Sequence, residues 1–195
     1  MTPGRPSEFG RAEARSRAME AFWSKGYEQT QIDDLVEAMS IGRGSMYAAF
    51  GDKRSLYLEA LDAFIERVSR AMRDRLLSGP GTPLQQLRAF IESWPALGAD
   101  ASSRGCFLTN SLIERGAHDP DVAQRAARTL RAEEMLYRGI IDEAVERAEL
   151  PPGTDAGMIA RAIVNARLGL TLQVRLGPVG PSGAAAAAAT LRLLT

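Results

Sequence analysis

The sequence predicts an all-α protein: an N-terminal helix-turn-helix domain of three helices, followed by a larger helical domain, about nine helices in all. Three observations predict it. Apolar residues recur at three- and four-residue spacing along nearly the whole chain, and no segment alternates as a half-buried strand would. Glycine and proline interrupt that spacing at intervals that suit helices. The interruptions carry cap residues and helix-starting prolines on one side and stop signals on the other.

Residues 1 to 7 read as a loose arm with two prolines and a glycine. From Glu8 the apolar positions Ala14, Ala18, Ala21 and Phe22 define a first helix to Lys25, and Gly26 supplies its stop. Thr30, with Asp33 three residues later, suggests a capping box for a short second helix to about Met39. Ser40-Ile41-Gly42 is a turn, and a third short helix runs from about Arg43 to Ala48 or Ala49. Asp52 caps a long helix with Leu56, Ala60, Phe64, Val68 and Met72 on one face, ending at Ser78-Gly79-Pro80. Thr82-Pro83 starts the next, which carries Leu84, Leu87, Phe90, Ile91 and Trp94 to the break at Pro95 to Gly98. A short helix from about Arg104 holds Cys106, Leu108 and Ile113. Asp119-Pro120 restarts the chain as cap and first helical residue, towards Ala148. Thr154 or Asp155 caps a helix to Leu176, and Ser182 starts the last, which contains the alanine tract 184 to 189.

Composition narrows the function classes. The chain has 195 residues, 45% hydrophobic and 25% charged, which are ordinary globular values. Net charge is zero, so any nucleic-acid partner has to be held by a local patch. A single cysteine, Cys106, excludes an internal disulfide framework and suits a reducing compartment. No apolar leader or membrane-length run is seen, so a cytoplasmic protein without membrane association is expected. One histidine and one cysteine make no metal cluster, and no phosphate-binding glycine motif is present. No cofactor and no catalytic set is therefore expected.

The stretch SIGRGSMYAAFGDKRSL, residues 40 to 56, concentrates the functional signal. Two short helices joined by a tight turn form a helix-turn-helix. Leu35, Val36, Ile41, Met46 and Phe50 can close a small core with Phe22 and Tyr27. Arg43, Ser45 and Tyr47 then fall on an outer face of the third helix, which fits a major groove about 12 Å wide. Gly44 has no side chain, so the backbone there can approach a duplex closely.

Read as Phe22-x3-Gly26-Tyr27-x2-Thr30, Leu35 through Ile41, then Gly44-x2-Tyr47-x2-Phe50-x2-Lys53-x2-Leu56, residues 10 to 60 resemble the DNA-binding domain of TetR-family transcriptional regulators. The resemblance implies a double-stranded operator as partner. It also implies roles: Thr30 caps the second helix and touches a phosphate, Arg43, Ser45 and Met46 face base edges or nearby backbone, and Tyr47 and Lys53 bind phosphates. Three positions depart from the family pattern. Ser40 stands where the turn usually has glycine, Gly42 where a Ser or Thr cap is common, and Ala49 where a histidine is usual. Taken singly, Tyr47 and Phe50 also suit a core, and Arg43 and Lys53 a solvated surface. Arg5, Arg11 and Arg15 are further basic candidates.

The expected domains are 1–54, the DNA-binding head with its arm, and 55–195, a ligand-binding and dimerisation domain implied by the resemblance. On the helix from 154 to 176, Ile159, Ile163, Ala166, Leu170 and Val174 make one apolar stripe and Leu168, Leu172 and Leu176 a second. A helix apolar on two sides has two partners to bury against, here an intrachain core and a second copy of the chain. A homodimer reads a near-palindromic operator with half-sites about 34 Å apart. Trp94, Phe107, Asn110, Tyr137 and Asn165 are candidate linings for a small-molecule effector pocket, Asn165 because it interrupts an apolar face. Cys106, in a Gly-Cys-x-Leu segment, resembles the thiol of family members that sense electrophiles, and packs equally well as a small buried hydrophobe. The expected function is a ligand- or thiol-responsive repressor. A thiol enzyme using Cys106 with His118, and a helical protein-interaction module, are the alternatives.

Overall fold

The computed structural model describes residues 8–99 and 104–195, the side chains of Glu8 and Phe9 excepted. The expected N-terminal arm with Arg5 lies outside the described residues. Among those described there are nine α-helices and no strand. They are α1 (Glu8–Lys25), α2 (Ile32–Met39), α3 (Arg43–Phe50), α4 (Lys53–Leu77), α5 (Pro83–Glu92), α6 (Phe107–Arg115), α7 (Pro120–Glu146), α8 (Ala156–Gln173) and α9 (Gly180–Leu191). Short 3₁₀ turns follow α5, α8 and α9 at Trp94–Ala96, Val174–Leu176 and Arg192–Leu194. No helix is long and apolar enough to cross a membrane.

Local chemistry accounts for most of the boundaries. Gly26, at φ +82°, ends α1 in a conformation that L side chains rarely adopt. Asp52 accepts from the Ser55 N–H at 2.6 Å and starts α4. Thr82 and Gln85 satisfy each other's backbone N–H at the start of α5, with Pro83 at the first helical position. Asp155 accepts from the Met158 N–H at 2.8 Å and starts α8.

Three expectations need correction. Thr30 does not cap α2. Its hydroxyl donates to the Gly26 carbonyl at 2.5 Å and the residue is fully buried. The cap moves to Gln31, whose N–H is received by Asp34 at 2.7 Å. The helix expected from Arg104 starts at Phe107, because Gly105 sits at φ +74° and cannot propagate a helix. Cys106 therefore precedes α6. The helix expected to reach Leu176 ends at Gln173 and tightens to 3₁₀ over its last residues.

The chain packs as two compact units that are not contiguous in sequence. The first takes the described residues up to Arg67 together with Asn110–Arg125. Its core holds Ala18, Phe22, Leu35, Met39, Met46, Phe50, Leu56, Tyr57 and Leu61. Phe22 meets Tyr57 edge-on at 5.1 Å, and Trp23 meets Phe64 likewise. The second unit takes the described residues of Val68–Thr109 and Ala126–Thr195. Its core joins Leu76, Leu87, Ile91 and Trp94 to Tyr137, Ile141, Ile159, Ile163, Leu170, Val174 and Ala187. The first apolar stripe of α8 is thus used internally. The second is not: Leu172 is 48% exposed and Leu176 92%.

In the second unit α9 presses onto the turn after α5 at one glycine. A Cβ on Gly183 would meet the Trp94 carbonyl oxygen at 2.8 Å and Pro95 Cα at 2.9 Å, both backbone. Backbone cannot rotate away, so Gly183→Ala is expected to destabilise the fold by about 2 kcal/mol, as overpacking does. Thermal or urea unfolding checks it; an unchanged midpoint would show that α9 is free to shift.

Candidate nucleic-acid interface

The turn between α2 and α3 is shaped by Ser40. It takes the left-handed conformation, φ 55° and ψ 40°, without being glycine. Its N–H bonds the Glu37 carbonyl at 3.0 Å, and the Ile41 N–H bonds the Val36 carbonyl at 3.3 Å. Arg17 also donates to its hydroxyl at 3.1 Å. These bonds offset the cost of a positive φ.

The turn sets α3 with one face inward and one outward. Met46 and Phe50, four residues apart, are 1% and 4% exposed and belong to the core. Met46 therefore leaves the set expected to face bases, a correction that its burial in the core requires. Thr30, buried with its hydroxyl spent on Gly26, leaves the phosphate-contact set for the same reason. Arg43, Gly44 and Tyr47 are exposed and Ser45 is half-buried. Lys53, the first residue of α4, holds its Nζ 4.3 Å from the centre of the Tyr27 ring. The N–H of Ser55 on the Asp52 carboxylate holds that group below the usual carboxylate range.

Two glycines on this surface are bare. A Cβ on Gly42 or Gly44 would meet no atom within 4 Å, and neither has a positive φ. Neither the backbone nor the packing of the chain demands glycine at either position.

Two contacts were not legible in the sequence. Arg43 is received by Asp33 on α2, Nε at 3.1 Å and NH2 at 2.5 Å on one carboxylate oxygen. Asp33 and Arg43 lie ten residues apart across the turn, a separation no helix-periodic reading tests. Arg11 lies over the Phe50 ring at 4.8 Å and donates to the Ala49 carbonyl and to Glu59. It closes the base of α3 onto α1 and α4.

The corner between α6 and α7 completes the first unit. Glu114 accepts from the backbone N–H groups of Tyr27 and Glu28 at 3.0 and 2.9 Å. A Cβ on Gly26 would meet that carboxylate at 2.9 Å, so glycine serves both the turn and the approach. Arg115 pairs with Glu28 and lies over the Tyr27 ring at 4.3 Å. Arg54 on α4 forks onto Asp119 at 3.1 and 2.8 Å and reaches Asp121 at 2.6 Å. Arg125 forks onto Asp62 at 2.8 and 2.9 Å. Asp119 is 3% exposed, and the Arg54 guanidinium holds its carboxyl below the usual range. Burial pushes the Tyr57 phenol up to about 12.

The second unit distributes the expected effector residues unevenly. Trp94, Phe107 and Tyr137 are buried in it. Asn110 falls in the first unit and is half-buried. Asn165 is exposed, a correction: it lies on the side of α8 away from Ile159, Ile163 and Leu170. The polar group that α8 does contribute inward is Arg167, paired with the buried carboxylate of Glu133. Arg167 lies close enough to interact electrostatically with Tyr137 and with half-buried Cys106. The Tyr137 hydroxyl donates to the Met72 sulfur at 3.2 Å, and burial raises its pKa. Met72 and Glu133 line a cleft of about 50 Å³ with Ser69, Arg73, Thr129, Ala132 and Leu136. No group of histidine, cysteine and carboxylate side chains among the described residues could hold a metal ion.

Comparison with known proteins matches both parts. The family model for bacterial regulatory proteins of the tetR family matches residues 15–60. The tetracyclin repressor-like C-terminal domain model matches residues 83–189. An uncharacterized HTH-type transcriptional regulator, YezE of Bacillus subtilis (strain 168), is 35% identical over 171 residues, 86% of this chain and 87% of that protein. The HTH-type transcriptional repressor ComR of Escherichia coli (strain K12) is 27% identical over 191 residues, 97% of this chain and 91% of its own. The solved structure of a cysteine mutant of the TetR family transcriptional regulator CifR, complexed with 26 bp double-strand operator DNA, superposes with a TM-score of 0.75. It is 28% identical and each chain covers 98% of the other.

The Arg54–Asp119 contact carries a pH signature. A carboxylate whose folded pKa lies below its unfolded value stabilises the fold above the unfolded value, about 3.9. That contribution is lost as pH falls through the folded value. Asp119→Asn is expected to lower stability at pH 7, since it leaves Arg54 without its fork. The gap to wild type should narrow below about pH 4. Urea unfolding from pH 3 to 7 measures it; a gap independent of pH would mean that Asp119 acts only as a cap.

Proposed function

Because this chain belongs to the TetR family of bacterial transcriptional regulators, we propose that it is a repressor whose α3 reads an operator in the major groove. The observation that carries the reading is the bare surface at Gly42 and Gly44. Glycine inside a helix costs about 1 kcal/mol relative to alanine. At Gly44 the chain accepts that cost with open space around it, and a duplex backbone approaching α3 is what a Cβ there would obstruct. Arg43 and Ser45 then face base edges, Tyr47 donates to a phosphate, and Lys53 meets another beside the N-terminus of α4.

The protein acts as a homodimer in the cytoplasm. The outward side of α8 and the 3₁₀ turn after it, with Asn165, Leu172 and Leu176, and that of α9 and its 3₁₀ turn, with Ala185 and Leu193, are the surfaces offered to a second copy. Two copies place two α3 helices on half-sites about 34 Å apart. The signal is a small-molecule effector in the second unit or modification of Cys106, which lies half-buried ahead of α6. Residues 110–125 belong to the first unit while the chain on both sides of them belongs to the second. Any displacement along α6 or α7 therefore reaches the head through the chain itself.

Fluorescence anisotropy on DNA from upstream of the gene, with scrambled duplex as competitor, tests the reading. Tyr47→Phe is expected to weaken all sequences alike, and Arg43→Ala to relax sequence preference. Gly44→Ala should raise helix stability by up to about 1 kcal/mol yet weaken operator binding at least tenfold. Full affinity in Gly44→Ala would remove the observation on which the reading stands.

A further inference from the structure

The head carries a carboxylate where a DNA-binding surface has least electrostatic use for one. Residues 8–60 hold nine acidic side chains against seven basic ones. Asp33, on α2, is paired with the first residue of the reading helix, and its side chain is 76% exposed. It receives both Nε and NH2 of Arg43, itself 59% exposed. An ion pair so open to water contributes little to folding. Its geometry is the more informative property.

We propose that Asp33 is a specificity-determining residue, which positions Arg43 for a base and penalises contact with the wrong sequence. The inference rests on the reading of α3 as the base-reading helix. Asp33 grips the guanidinium by its Nε edge. That leaves NH1 and the second N–H of NH2 to serve as a paired donor, the geometry that recognises the O6 and N7 acceptors of guanine. A free arginine side chain would have to be ordered on binding, whereas a gripped one has already lost much of that freedom.

The same carboxylate acts against loose binding. On a wrong sequence Arg43 gains most by swinging to the nearest phosphate. To do so it has to release Asp33, and the bared carboxylate then faces the phosphates of the same backbone. Non-operator contacts are thereby disfavoured more than operator contacts. Lys25 on Asp34 at 2.6 Å places a second acidic group of α2 in a similar partnership, but without reaching α3.

A double-mutant cycle separates positioning from plain charge. Wild type, Asp33→Asn, Arg43→Ala and the double variant are titrated by anisotropy onto a selected operator and onto scrambled duplex. Removing one charge near phosphate should raise scrambled-duplex affinity about fivefold. With Arg43 present, operator affinity should stay within about twofold, so that discrimination falls. With Arg43 already replaced, Asp33→Asn should raise both affinities by one common factor. Equal gains on both duplexes with Arg43 present would reduce Asp33 to a bulk charge and overturn the inference. A wild-type protein that selects no sequence at all would instead overturn the regulator reading, a result that needs no variant to observe.

Discussion

One buried carboxylate ties the first unit together. Asp119 is almost wholly withdrawn from water, a position that disfavours an anion unless a partner is at hand. Arg54 supplies that partner from 65 residues away, through two parallel hydrogen bonds. The same carboxylate receives the Asp121 N–H at the start of α7. It therefore closes a helix end and joins two distant segments at once. Glu114 does the matching work at the other side of the corner, where it receives two N–H groups of the turn after α1. The segment that carries α2 and α3 is thus held by a piece of chain from beyond residue 109.

This arrangement explains what was and was not legible in the sequence. Helix positions were, because caps, prolines and glycines act on neighbours: Asp52, Thr82, Asp119 and Asp155 all sit where their local signals put them. Thr30 misled because a hydroxyl chooses between partners, and here it donates to the Gly26 carbonyl, four residues back. Met46 was named for two roles, core and base contact, and only packing could separate them. Asn165 interrupts a helix that is apolar on more than one side, so periodicity alone could not say which side meets the core. The Arg54–Asp119 and Glu114–Tyr27 contacts leave no trace at helical spacing. The expected boundary at residue 54 follows a sequence motif, while the compact unit runs to Arg67 and also includes Asn110–Arg125.

The electrostatics point the same way. Net charge is zero overall, and the basic groups around α3 are held by protein partners: Arg43 by Asp33, Arg11 by Glu59, Lys53 by the Tyr27 ring. A protein built so has a modest sequence-independent attraction to DNA. Its affinity then has to come from a well-placed few groups, which on the proposed reading makes the position of α3 decisive. Whatever fixes or frees the corner that supports α1 to α3 governs that position.

The claim that the α6–α7 corner belongs to the head is tested most directly by amide hydrogen exchange, read by mass spectrometry, in wild type and in a variant with the head core weakened by Phe22→Ala. Deleting a fully buried aromatic side chain costs about 3 kcal/mol or more, and protection falls wherever the backbone opens with the weakened core. The account predicts that residues 110–125 lose protection together with α2 and α3, while the α8 segment 156–165 keeps its own. Unchanged protection over 110–125 in the variant would contradict it, and would place the corner energetically with the second unit.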